Sequence, residues 1–182
     1  MSPPRPLPLD PIEEAHRQWV GHGWGDVADG MAAVTSLVRA QQIVMARVDE
    51  ALKPTGLTFS RYELLMLLSF SKTGALPMAK ASARLQVHPT SVTNTVDRLE
   101  AAELVVRVPH PSDRRATLIE ITDAGRELVA RATEDLNARV FALPGLPPDR
   151  VQLLLQLLSE FRHAAGDFDT EGVAPVWSAQ EN

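Results

Sequence analysis

From Met31 onward, apolar residues recur at spacings of three and four: Met31, Val34, Leu37, Val38, Met45, Val48 and Leu52. That period is helical, with one broad apolar stripe. Lys53-Pro54-Thr55-Gly56 stops the helix. Thr58 or Ser60 is positioned to cap the next one, which carries Tyr62, Leu64, Leu65, Leu67 and Leu68 and ends at Gly74. Ala75-Leu76-Pro77 reads as a short extended link, residues 78–85 as a brief helix and residues 89–102 as a longer one. The period then changes to two. Leu104-Val105-Val106-Arg107-Val108 and Thr117-Leu118-Ile119-Glu120-Ile121 are strand-like, and Pro109-His110-Pro111-Ser112-Asp113 between them is turn chemistry. Thr122 caps a helix that runs to about Phe141, with Leu128, Val129, Ala132, Leu136 and Val140 on one side.

A loop from Leu143 to Pro148 leads into the last helix. Val151, Leu154, Leu155, Leu158 and Phe161, with Leu153 and Leu157, make it apolar nearly all round. Such a helix needs cover on most sides, which a partner subunit would supply. At the other end, five prolines in residues 1–11 predict a flexible lead-in. Residues 12–20 fit a short amphipathic helix, and the glycines at 21, 23, 25 and 30 are expected to break the chain after it. The tail, 166–182, has no period and is expected to fray. A short helix, a tight turn, a second helix and a two-stranded hairpin make a winged helix-turn-helix. The fold class expected is mainly α (α+β), with this lobe at 57–122, its recognition helix at 89–102 and its wing at 104–121.

The chain has 182 residues, 45% of them hydrophobic and 23% charged, as expected of a globular domain. It has no cysteine, which excludes disulfides, thiolate catalysis and zinc ribbons. No apolar run approaches the ~18 residues of a membrane span, and no secretory signal is visible, so a soluble cytoplasmic protein is expected. The net charge of -5 argues against a general nucleic-acid coat. Its distribution changes that reading. Residues 1–59 carry 5 basic and 7 acidic groups, residues 60–122 carry 8 and 6, and residues 123–182 carry 5 and 10. Only the winged segment is net basic.

At 100° per residue, Val92, Val96 and Leu99 fall within about 60° of one another and form the buried face of helix 89–102. Thr90, Ser91, Asn94, Asp97 and Arg98 lie opposite, with Thr93 on the flank. Thr, Ser and Asn are poor helix formers, yet they take five of the six positions 90–95. Short hydroxyls and an amide both donate and accept without bulk, which suits reading base edges in a major groove. Pro89 is tolerated in the first turn and brings an apolar edge for a thymine methyl. Taken alone, the helix also fits a solvated polar face; the attached hairpin favours the nucleic-acid reading. The hairpin tip, Pro111-Ser112-Asp113-Arg114-Arg115-Ala116, presents two adjacent arginines that suit a narrow minor groove and phosphate pairing. Asp113 is expected to pair with Arg115 and shape the loop.

The run Leu85-Gln-Val-His-Pro-Thr-Ser-Val-Thr-Asn-Thr-Val-Asp-Arg-Leu-Glu, then Leu104-Val, then Asp113-Arg-Arg-Ala-Thr-Leu-Ile-Glu-Ile-Thr-Asp-Ala-Gly125, resembles the MarR family of bacterial transcriptional regulators. The resemblance runs from about residue 31 to 163. It implies an obligate homodimer joined through a helix at 31–56 and helices at 123–165, bound to a pseudo-palindromic double-stranded operator, more often as a repressor. It implies Pro89, Thr90, Ser91, Thr93 and Asn94 as base and groove contacts. Arg98 would be a phosphate contact or an internal partner of Asp97. Asp113 and Arg115 match the wing pair, with Arg114 as an extra contact. Lys80 is a candidate phosphate contact, Ser60 and Arg61 are weaker ones, and His88 and His110 fall near DNA. A small anionic aromatic effector follows the family. Two departures stand out: Ala79, Ala81 and Ala83 where larger aliphatics are usual, and a 30-residue N-terminal extension of the kind whose helix widens the dimer interface in some family members, where Trp19 and Trp24 are expected to pack.

The five histidines form no i, i+4 pair and no H-E-x-x-H pattern, so no metal and no cofactor is expected. No nucleophile elbow or phosphate-cradling glycine loop is present, and no enzyme is expected. Two alternatives remain: a winged helix used as a protein-binding module, and a metal-responsive regulator built from distant His and acidic residues.

Overall fold

The computed structural model describes residues 7–85, 89–113 and 116–169. His88, Arg114 and Arg115 lie outside the described residues, as do the side chain of Pro89, the first part of the proline-rich lead-in and the tail from 170. Seven α-helices and three strands are described: α1 (Pro11–Gly21), α2 (Gly25–Leu52), α3 (Phe59–Ser69), β1 (Ala75–Pro77), α4 (Met78–Leu85), α5 (Pro89–Ala101), β2 (Val105–Pro109), β3 (Thr117–Ile121), α6 (Asp123–Leu136) and α7 (Pro148–Ala164). A 3-10 turn, Lys53–Thr55, follows α2, and a π-helical turn, Asn137–Phe141, follows α6. Two compact units divide at Leu136.

In the first unit, Leu52, Leu64, Leu65, Leu68, Leu99, Ile119 and Leu136 form the core of the lobe. The strands make an antiparallel sheet in the order β1-β3-β2. Ala75–Pro77 is therefore not a free link: it pairs with β3, Leu76 opposite Ile119. β2 pairs with the other edge of β3, Val105 opposite Ile121 and Pro109 opposite Thr117. Tyr62 on α3 is buried, and its hydroxyl lies 3.2 Å from that of Thr133 on α6.

Two expectations about the helices are corrected. The long helix expected from Met31 does not begin there. α2 begins at Gly25 and runs through Gly30, because α1 packs along it and buries Ala28 completely. The break falls at Gly23 instead, whose φ of +84° suits a residue without Cβ. Thr58 stands at the N-cap of α3, but its side chain makes no capping bond; its hydroxyl faces that of Ser60 at 3.2 Å. Trp19 is half-buried against the edge of Trp24, 5.4 Å between ring centroids, and Trp24 remains 52% exposed. Of the three alanines of α4, only Ala81 is buried.

The junction between α5 and the wing is tightly specified. α5 ends with Glu103 in the left-handed region, φ 57°. The Leu104 N–H reaches back to the Leu99 carbonyl at 2.9 Å, and Glu103 N–H to Glu100 at 2.9 Å, the Schellman arrangement. The start of α6 docks on this junction. The Thr122 hydroxyl accepts from Gly125 N–H at 3.0 Å, as a cap should, and donates to the Glu103 carbonyl at 2.9 Å. The Thr122 N–H donates to the Leu104 carbonyl at 3.1 Å. A Cβ on Gly125 would meet that same carbonyl oxygen at 2.2 Å. The Thr-x-x-Gly motif is thus a docking device.

In the second unit α7 has no buried residue, and Leu153, Leu154, Leu157 and Phe161 are exposed at 41–60%. No helix among the described residues is long and apolar enough to cross a membrane.

Gly125→Ala is expected to destabilise the fold by about 1–3 kcal/mol, because backbone must shift to admit the methyl; the urea midpoint reads this. Glu103→Gly should move the same midpoint the other way, by about 0.5–1 kcal/mol, since the left-handed strain of a residue with Cβ is relieved.

Candidate nucleic-acid interface

The helix-turn-helix places α5 with one face inward. Val92, Val96 and Leu99 are at most 2% exposed. Thr90, Ser91, Thr93, Asn94, Asp97 and Arg98 are all exposed, so the hydroxyl- and amide-rich side faces solvent. Thr95 turns back on its own helix, its hydroxyl donating to the Ser91 carbonyl at 2.9 Å. Lys80 on α4 and Ser60 at the start of α3 are exposed, and Arg61 is half-buried. A narrow cleft of about 90 Å³ separates α3 from the first half of α5, lined by Ser60, Glu63, Leu64, Leu85, Ser91, Val92 and Thr95. Desolvation there pushes the Glu63 carboxyl above its ordinary value.

The wing turn is organised by His110, whose place between two prolines in the sequence gives no sign of that role. His110 Nδ1 lies 3.3 Å from the Ser112 N–H and 3.2 Å from the Asp113 N–H. The His110 N–H donates to the Ala116 carbonyl at 3.2 Å, and the Ala116 N–H to that of Asp113 at 3.0 Å, closing the turn. Asp113 is exposed at the tip. Its expected partner Arg115 lies outside the described residues, as does Arg114.

Arg98 does not pair with Asp97. Neighbouring positions on a helix point about 100° apart, and the Asp97 carboxylate is taken by Arg107 of β2, which also binds Glu100. Hydrogen bonding to Asp97 holds the Arg107 guanidinium above its ordinary pKa, with Glu100 adding to the effect. The signal for this network was present in the strand: alternation puts Arg107 on the same side as buried Val105, and an inward charge demands partners. Among the described residues, no group of three or more His, Asp or Glu side chains could hold a metal ion.

Likeness to known proteins decides the family. Residues 55–116 match the model of the MarR family. The structure of Sco5413, a MarR family transcriptional regulator from Streptomyces coelicolor, is 53% identical, covers 78% of this chain and 98% of its own, and superposes with a TM-score of 0.71. The chain belongs to the MarR family of transcriptional regulators. Another similar structure, CouR from Rhodococcus jostii RHA1 bound to p-coumaroyl-CoA, is 32% identical, covering 69% of this chain and 87% of its own with a TM-score of 0.61. CouR has also been seen on a 23-mer DNA duplex, at 28% identity, 69% and 89% coverage and a TM-score of 0.65. YhbI of Bacillus subtilis, an HTH-type transcriptional regulator, is 33% identical over 44% of this chain. The chain spans about half the length of the curated relatives it matches, 51% and 57%. In this MarR chain the segment matched by the family model runs from α3 to the wing turn and carries the outward face of α5.

His110→Ala is expected to leave global stability nearly unchanged while amide exchange at Ser112 and Asp113 speeds by about fivefold, the loss of hydrogen bonds worth about 1 kcal/mol. Native-state hydrogen exchange measures it.

Proposed function

We propose that the protein is a sequence-specific, double-stranded-DNA-binding transcriptional repressor that grips a pseudo-palindromic operator as a homodimer. One observation carries this: α5 buries Val92, Val96 and Leu99 and turns Thr90, Ser91, Thr93, Asn94 and Arg98 outward on a basic lobe. That is the surface a major-groove reader needs. In this reading Pro89, Thr90, Ser91, Thr93 and Asn94 meet bases. Arg98, Lys80, Ser60 and Arg61 meet the backbone, and His88 lies beside it. Asp113, Arg114 and Arg115 form the wing contact in the minor groove. That CouR is bound to a DNA duplex supports the DNA-binding reading.

Apolar surface supports the dimer. Val27, Val34 and Val38 of α2 lie within about 40° of one another and are 52–63% exposed. α7 carries a second exposed apolar face. Patches of this kind mark subunit contacts. A small anionic aromatic effector would release the dimer from DNA by favouring a state with the wrong lobe spacing; p-coumaroyl-CoA held by CouR is the kind of molecule meant.

Selection of duplexes from a random pool tests the whole reading. Two-fold symmetric sites with half-sites ~34–36 Å apart are expected, with affinity falling steeply with salt. Asn94→Ala should relax base choice at one position per half-site by roughly 1–3 kcal/mol, whereas Arg115→Ala should weaken all duplexes alike. A pool that yields no enriched sequence would refute the proposal.

A further inference from the structure

The recognition helix carries two acids where acids are least welcome. Asp97 and Glu100 lie in the last two turns of α5, near the negative end of its dipole. Their side chains are 55% and 38% exposed. On a helix offered to a polyanion, each would repel phosphates within a Debye length, ~8 Å at physiological salt. Both are held by one side chain from another element. Arg107 of β2 donates to Asp97 Oδ1 through one guanidinium nitrogen and to Glu100 Oε2 through the other. Its backbone N–H donates to Glu100 Oε1 at 3.2 Å. The arginine itself is only 28% exposed, so its charge is directed inward onto these two carboxylates.

We propose that Arg107 is a positioning residue for DNA binding that acts through Asp97 and Glu100, drawing both carboxylates against β2 and compensating their charge so that α5 can approach the phosphate backbone. The inference rests on the DNA-binding reading above. It explains why an arginine of the wing strand faces the sheet's packed side. It also explains why Asp97, so engaged, leaves the exposed guanidinium of Arg98 for the duplex.

The test uses the full chain, a duplex selected from the random pool, and affinity measured by fluorescence anisotropy across a salt series. Arg107→Gln in the wild-type background should weaken binding by about tenfold or more at low salt, the loss shrinking as salt screens the two bared carboxylates. The same change in an Asp97→Asn/Glu100→Gln background should cost less than about threefold, because no charge is left to compensate. The Asp97→Asn/Glu100→Gln protein, which keeps Arg107, should bind at least as tightly as wild type; it carries the test alone if Arg107→Gln does not fold. A residue that merely braces the fold would lower the urea midpoint without this salt-dependent coupling. The proposal is overturned by an equal loss in both backgrounds, which would make Arg107 a direct phosphate contact. It is also overturned if Arg107→Gln binds like wild type, or if the doubly neutralised protein binds more than about threefold weaker. Wild-type protein that ignores every duplex would instead sink the DNA-binding reading itself.

Discussion

The burial of Val92, Val96 and Leu99 under α5 leaves Thr90, Ser91, Thr93, Asn94 and Arg98 facing outward. Each such side chain contributes about 1.5–3 kcal/mol when fully removed from water. The five hydroxyl and amide residues at 90–95 oppose helix formation by at most about 0.7 kcal/mol each. The packing term therefore wins, and a sequence of poor intrinsic helicity is held helical by its neighbours α3, α4 and β2. This leaves the outward positions without a part in the core, so they can be chosen for what they touch. The hydroxyls and the amide sit there because the core pattern beneath them tolerates them.

The same logic governs the wing. A two-stranded hairpin is marginal on its own, and here β1 supplies a third strand on the far edge of β3. The hairpin is then fastened at both ends. At its base, the Leu104 carbonyl accepts from Thr122, with Gly125 of α6 packed against it. At its tip, His110 accepts the Ser112 and Asp113 amides. α6 thus meets the wing at the point where the wing leaves α5, and a displacement of α6 would be felt at both elements.

How much of this was legible in the chain depended on range. The faces of α5 followed from a 3.6 period, and the hairpin from β-branched alternation around two prolines, because both are local. The start of α2 was hidden: Gly25 and Gly30 look like breakers, and only the packing of α1 over Ala28 makes them helical. β1 was hidden because three residues ending in proline carry no strand signal until Leu76 finds Ile119, 43 positions away. Glu103 gave no sign of its left-handed turn, since glycine is the residue that announces one. Arg107 was half-legible: its inward register was readable, its two partners were not.

That network also changes how the charge count should be read. Residues 60–122 hold eight basic and six acidic groups, a net of +2. Arg107, Asp97 and Glu100 are engaged with one another. Setting these three aside leaves seven basic and four acidic groups, a net of +3. The cluster keeps one negative charge, but it is drawn toward β2 rather than spread along α5. A protein whose total charge is -5 can in this way present a cationic surface to DNA. What a duplex meets at short range is the local field, because charges beyond a Debye length are largely screened.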